Sequence, residues 1–102
     1  MIKTFADAET EWLFRRRPAR RLPPDVQRRA LRELVMVHAA ADLGDLRPPV
    51  ATPATRLEAL KGDRAGQHSV RVADGTSAND QWRVCFTWRD GDAYDVEIVD
   101  YH

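Results

Sequence analysis

The sequence predicts an α+β domain in which two N-terminal helices pack on one face of a small antiparallel sheet. Three observations carry that expectation. Apolar residues recur at helical spacing between Phe5 and Ala41, three later segments alternate apolar and polar, and Asp90-Gly91 separates the last two of those segments as a hairpin turn. Helices followed by hairpin-connected strands stack on one sheet face and leave the other open. A chain of 102 residues supports one domain, 1–102, and one core.

Each element has its own signal. Ile2 to Phe5 alternates and fits an edge strand. Asp7 can cap a first helix with Glu9 in its first turn, and Phe5, Ala8 and Trp12 are spaced to face the core. Arg15-Arg16-Arg17 followed by Pro18 ends that helix. Pro23-Pro24 opens a second helix, expected to run to about Ala41, with Val26, Ala30, Leu34 and Val37 as its inner stripe, Leu31 and His38 beside it, and Arg28, Arg29 and Arg32 opposite. Prolines 48, 49 and 53 make an extended connection.

The strands are read as Gln67 to Val72, Gln81 to Trp88 and Tyr94 to Ile98. Alternation assigns Val70, Val72, Trp82, Val84, Phe86, Trp88, Tyr94, Val96 and Ile98 to the core face. The open face takes Arg71, Arg83, Cys85, Thr87, Asp95, Glu97 and Val99. Residues 73–80 read as a longer hairpin loop.

Composition excludes several classes. Hydrophobic residues are 43% and charged residues 31%, which suits a folded globular chain. The longest uncharged apolar stretch, Leu34 to Ala41, is far below the ~20 residues of a membrane span, and no secretory leader pattern is visible at the N-terminus. Cys85 is the single cysteine, so no internal disulfide or cysteine-rich zinc site is expected and a reducing cytoplasm fits. The three histidines have no metal-ligand spacing. Net charge is zero, but it is distributed as +4 over residues 1–35, +1 over 36–89 and −5 over 90–102. Fourteen of the sixteen basic groups are arginine, whose planar fork matches phosphate and carboxylate oxygens; high genomic GC content gives the same bias.

Four segments carry a resemblance: Met1 to Phe5, Arg56 to Ser69, Asn79 to Phe86, and Asp95 to His102. The run Leu60-Lys61-Gly62-Asp63-Arg64, then Trp82-Arg83, then a final Asp100-Tyr101-His102 resembles the HigB-type branch of the RelE-like toxins of bacterial toxin–antitoxin systems. The resemblance implies a RelE-like, microbial-ribonuclease-type fold. It implies a ribosome-dependent endoribonuclease that cuts mRNA, inhibits translation and needs no metal or other cofactor. It also implies a HigA-like helix-turn-helix antitoxin, with operator DNA contacted only through that partner. Two departures stand out. Some family members carry a catalytic histidine where this chain has Glu58, and the loop from Ala73 to Ala78 looks like an insertion.

RNA cleavage by its own 2′-OH requires a base, an acid and cations on the developing oxyanion. His102 is the leading acid–base candidate, since an unperturbed imidazole titrates near about pH 6.5. The alternative for this last residue is a solvated terminus. Glu58 is a candidate base. Tyr101 suits stacking on a base or packing, and Asp100 suits orienting His102 or plain solvation. Lys61 and Arg64 flank a turn, and Arg83 projects from mid-sheet to the open face; these three are expected to meet at one phosphate. Arg71 and Gln67 complete the substrate-binding set, and an ion pair of Arg83 with Asp95 or Glu97 is the structural alternative. His68 and His38 read as core histidines. The arginines from Arg15 to Arg32 fit ribosomal RNA phosphates, a solvated face or an antitoxin contact equally. The competing functional classes are a non-cleaving RNA- or protein-binding module of the same fold and a cofactor of transcriptional repression.

Overall fold

A computed structural model describes residues 1–46, 57–72 and 82–100, arranged as helices α1 (Ala8–Phe14) and α2 (Pro24–Ala39) and strands β1 (Glu58–Ala59), β2 (Gln67–Arg71), β3 (Trp82–Arg89) and β4 (Asp92–Asp100). The prolines at 48, 49 and 53, the loop 73–80, Gln81, Tyr101 and His102 lie outside the described residues. All four strands pair antiparallel in the order β1-β2-β3-β4. The expected α+β architecture is therefore present, and β1 is a strand that the alternation did not reveal. β1 is only two residues long, too short for any period to register.

α1 starts as expected: the Asp7 side chain accepts a hydrogen bond from the Thr10 N–H at 3.4 Å. Its exit is a Schellman-type cap, with Arg17 N bonded to Trp12 O (2.7 Å), Arg16 N bonded to Leu13 O (2.9 Å) and Arg16 in the left-handed region at φ 65°. The inner face is Thr10 and Leu13, with Phe14 packed partly against the core. Trp12 is 43% exposed and Ala8 is also exposed, so the expectation that they face the core is corrected. The helix docks through the Thr10 hydroxyl, which reverses the orientation that its apolar residues alone suggested.

α2 begins at Pro24 and ends at Ala39, with Val26, Ala30, Leu34 and Val37 buried as read from their spacing. The same stripe contains Glu33, which is only 4% exposed. It falls between Ala30 and Val37 at the steps of three and four that define a buried helix face. Its Oε2 has no hydrogen-bond partner among the described residues. Burial pushes the Glu33 carboxyl up to about 7, against the lowering effect of neighbouring Arg32.

β3 and β4 meet through the Asp90-Gly91 turn, both residues at positive φ (52° and 82°), the geometry of a tight hairpin. The register is regular from Trp82↔Asp100 to Cys85↔Glu97, then shifts so that Thr87 faces Tyr94. Asp95 holds the bulge at φ 53°. One extra residue inverts the alternation in the first part of β4: Ala93 is fully buried, and Tyr94 stands opposite Thr87 on the open face. Tyr94 was expected in the core; the bulge is why it is not. The rest of the expected core face holds, with Val70, Val72, Val84, Phe86, Val96 and Ile98 buried and Trp82 and Trp88 partly covered. His68 faces the ring of Phe86 at 6.2 Å.

The outer edge of β4 is closed by the N-terminal segment and α1. Ala93 N bonds to Met1 O (2.9 Å), Lys3 N to Ala93 O (2.8 Å), Val96 N to Thr4 O (3.1 Å) and Ala6 N to Val96 O (2.9 Å). Side chains complete the row: the Thr4 hydroxyl takes Asp95 N (2.8 Å), the Thr10 hydroxyl takes Ile98 N (3.1 Å), and the Arg21 guanidinium donates to Ile98 O (2.8 Å). His38 holds the N-terminal segment by accepting the Ile2 N–H on Nδ1 at 3.1 Å, as befits a core histidine. The edge-strand reading of Ile2 to Phe5 thus survives as two isolated parallel bridges, Ile2↔Ala93 and Phe5↔Val96. Among the described residues no helix is long and apolar enough to cross a membrane.

Two stability predictions follow from this packing. Thr10→Val leaves the buried Ile98 N–H unpaired and costs about 1–3 kcal/mol in urea unfolding, whereas Thr10→Ser keeps the bond. For Glu33 the raised folded value means that the native state binds more protons than the unfolded chain between about pH 4.5 and 7, so stability is lost as pH rises through that window. Glu33→Gln matches the parent near pH 4.5 and exceeds it by about 3 kcal/mol at pH 8.

Candidate active site on the open sheet face

The face opposite the helices is built in cross-strand rows. One row runs Glu58 (β1), Ser69 (β2), Cys85 (β3), Glu97 (β4). The next toward one end places Arg71 against Arg83 and Val99, and the next toward the other places Gln67 against Thr87 and Tyr94. Two carboxylates thus stand at the ends of a row whose middle residues, Ser69 and Cys85, are fully buried. Small side chains form the floor, and long charged ones lie over it. The face is open to a ligand only above that charged layer, and Cys85, on this face as its alternation predicts, lies in the floor.

The charged layer is a set of ion pairs. Arg83 Nη1 donates to Glu58 Oε2 at 3.2 Å and to Ser69 Oγ at 3.5 Å. Arg71 Nη2 approaches Glu58 Oε1 at 3.8 Å. Arg64 Nη1 donates to Glu97 Oε1 at 2.7 Å and to Gln67 Oε1 at 2.9 Å. Arg71 and Arg83 are directly opposite in register, an arrangement of like charges that is unfavourable by itself. The carboxylate of Glu58 offsets it by binding both, one oxygen each. Arg83 is the most enclosed, its side chain 13% exposed. Arg83 therefore takes its carboxylate from β1, two strands away, rather than from Asp95 or Glu97.

The connection from β1 to β2 sets the remaining cations. Gly62 (φ 67°) and Gly66 (φ 94°) adopt conformations that side-chain-bearing residues resist, and they bracket a short 3-10 turn, Gly62–Arg64. That turn brings Arg64 back over Gln67 and Glu97. Lys61 leads into it, exposed and with no ion pair among the described residues. Of the candidate residues, Glu58, Arg64, Gln67, Arg71 and Arg83 are brought onto one face. Asp100 pairs across the sheet with Trp82, in the phase of the helix-covered face. Tyr101 and His102 lie outside the described residues, directly after β4.

Two features escaped sequence reading. Glu97 is the anchor of Arg64, a pairing invisible without the register. Tyr94 joins this face with the Arg89 guanidinium 4.2 Å above its ring. The arginine-rich stretch between the helices divides by role. Arg21 binds Asp7 and Glu9 as well as Ile98 O, and Arg15 pairs with Glu11. Arg17 and Arg20 line a cavity of about 740 Å³ beside Trp12, Pro18 and Glu9, on the helix side and away from the ion-paired face. Among the described residues, no group of three His, Cys, Asp or Glu side chains is placed to hold a metal ion.

The removal of Glu58 tests this layer. Glu58→Ala leaves Arg71 and Arg83 facing each other and lowers stability by on the order of 1 kcal/mol at low ionic strength. Inorganic phosphate raises the melting temperature of that variant more than it raises the parent's, because the anion takes the vacated position.

The sequence pattern of the family described as the RelE-like toxin of the type II toxin–antitoxin system HigB matches residues 3–102. A curated relative, Endoribonuclease HigB of Proteus vulgaris, is 32% identical over 102 residues, the whole of both chains.

Proposed function

The chain belongs to the RelE-like HigB toxins of type II toxin–antitoxin systems, and on that premise we propose that its ion-paired sheet face is the active surface of an endoribonuclease that cuts mRNA on the ribosome. The observation that carries this reading is the Glu58 carboxylate held between two guanidiniums on one accessible face, 3.2 Å from Arg83 and 3.8 Å from Arg71. An RNA phosphate presents the same oxygen geometry as that carboxylate, so it can replace Glu58 on the arginines. The displaced carboxylate then stands beside the bound phosphate, within reach of the ribose.

In this mechanism the 2′-oxygen attacks the adjacent phosphorus, and the bond to the 5′-oxygen breaks. The products are a 2′,3′-cyclic phosphate and a 5′-hydroxyl. Glu58 takes the 2′-OH proton, and His102 returns a proton to the leaving 5′-oxygen. Arg83, Arg71 and Lys61 bear the charge that builds on the phosphoryl oxygens, and Arg64 with Gln67 holds the neighbouring strand. Asp100 orients His102, and Tyr101 stacks on a base. No step in this scheme assigns a role to a metal ion. The partners are a HigA-like helix-turn-helix antitoxin, which alone touches operator DNA, and the translating ribosome. The setting is the cytoplasm.

Induced expression followed by mapping of mRNA 5′ ends tests the proposal. New 5′-hydroxyl ends inside ribosome-bound codons are expected. His102→Ala and Arg83→Ala each lower cleavage by about 10²–10⁴-fold while antitoxin binding is retained. A 2′-deoxy nucleotide at the cut site abolishes the reaction. Intact mRNA and unchanged growth would leave the alternative, a binding module without catalysis, and full toxicity of both variants would remove the residue assignment.

A further inference from the structure

We infer that Tyr94 and Arg89 form a base-stacking subsite on the open sheet face, which takes an unpaired RNA base next to the nucleotide that is cut; this rests on the RNA-cleaving reading above and adds a specificity element to it. The bulge at Asp95 is the first ground. Without it Tyr94 would follow the alternation into the core; with it, Tyr94 stands opposite Thr87 on the face that carries Arg64, Arg71 and Arg83. Bulges beside functional sites commonly re-aim a side chain in this way.

Chemistry is the second ground. The Arg89 guanidinium lies 4.2 Å over the tyrosine ring, while Arg89 itself is exposed. A guanidinium plane stacked on an aromatic has a second flat side, and RNA-binding surfaces use such planes and rings to hold unstacked bases. Gln67 and Thr87 share the row with Tyr94 and bring an amide and a hydroxyl to the edge of any base held there.

Spacing is the third. From Arg83 to Thr87 is four residues along β3, or about 14 Å at strand rise. The Glu97 row, with Arg64 over it, lies between. A phosphate on Arg83, a second on Arg64 and a base over Arg89 and Tyr94 therefore follow one extended strand across the sheet. The same row geometry makes Tyr94 a positioning and specificity residue rather than a participant in proton transfer.

The test is a double-substitution cycle on ribosomes programmed with 2′-O-methyl mRNA, which the protein can bind but not cut. Dissociation constants are measured for the parent, Tyr94→Leu, Tyr94→Phe, Arg89→Ala and Arg83→Ala, with intact mRNA and with mRNAs abasic at each nucleotide flanking the cut site in turn. Tyr94→Leu and Arg89→Ala are expected to weaken binding about tenfold or more, and one abasic position is expected to cancel that loss. Tyr94→Phe is expected to bind as the parent does. If Tyr94→Leu lowers the melting temperature yet weakens binding equally with every mRNA, or not at all, the pair only fastens the hairpin and the subsite is overturned. Arg83→Ala separates the two ideas, because it weakens binding whichever base is missing. If it has no effect, or if the parent does not bind, the RNA-cleaving reading falls and takes the subsite with it.

Discussion

The backbone of β4 must be satisfied on its outer edge, and much of the molecule is arranged to do so. An uncovered edge would expose a row of N–H and C=O groups to water or to another chain. Here the N-terminal segment, Thr4, Thr10 and Arg21 each take one or more of them. This demand explains features that look unrelated. A threonine, not a tryptophan, faces inward on α1, because only the hydroxyl can take the Ile98 N–H. An arginine from a stretch of arginines reaches across to a strand carbonyl. His38 keeps a bare ring nitrogen toward Ile2, which seats the N-terminal segment against the strand.

The same strand governs the opposite face. Because β4 is fixed on both sides, its extra residue cannot slip out at an end and is absorbed at Asp95. Beyond that point the open face presents Glu97 and before it Tyr94. Sheet faces that carry charge usually leave it in water. This one sets arginines over a floor of Ser69 and Cys85, so the guanidiniums are partly withdrawn from water, Arg83 most of all. The carboxylates of Glu58 and Glu97 hold them in place meanwhile.

Much of this could be read from the sequence, and what could not has identifiable causes. The α2 stripe and the alternation of β3 were legible, since both rest on periods of several residues with consistent polarity. The turn between Lys61 and Arg64, the Asp90-Gly91 hairpin and the outward projection of Arg83 followed from local chemistry. The bulge was hidden because an aspartate, not a glycine, occupies its left-handed position. Glu33 was hidden by its own charge, although the three-four spacing of its stripe included it. The Glu58–Arg83 and Arg64–Glu97 pairs depend on strand register, which no local pattern encodes. Trp12 misled because an aromatic one turn from Ala8 resembles a core stripe.

With only two residues, β1 makes few ladder bonds, and the Glu58 carboxylate ties it to the middle of the sheet through Arg83. Whatever anion draws Arg71 and Arg83 away from that carboxylate also unclasps the strand's end. Occupancy of the face and solidity of its rim are thus opposed. A bound polyanion would quicken deuterium uptake at Leu60, whose N–H closes the short ladder on Gln67, at the same moment that it stills the arginines beside it.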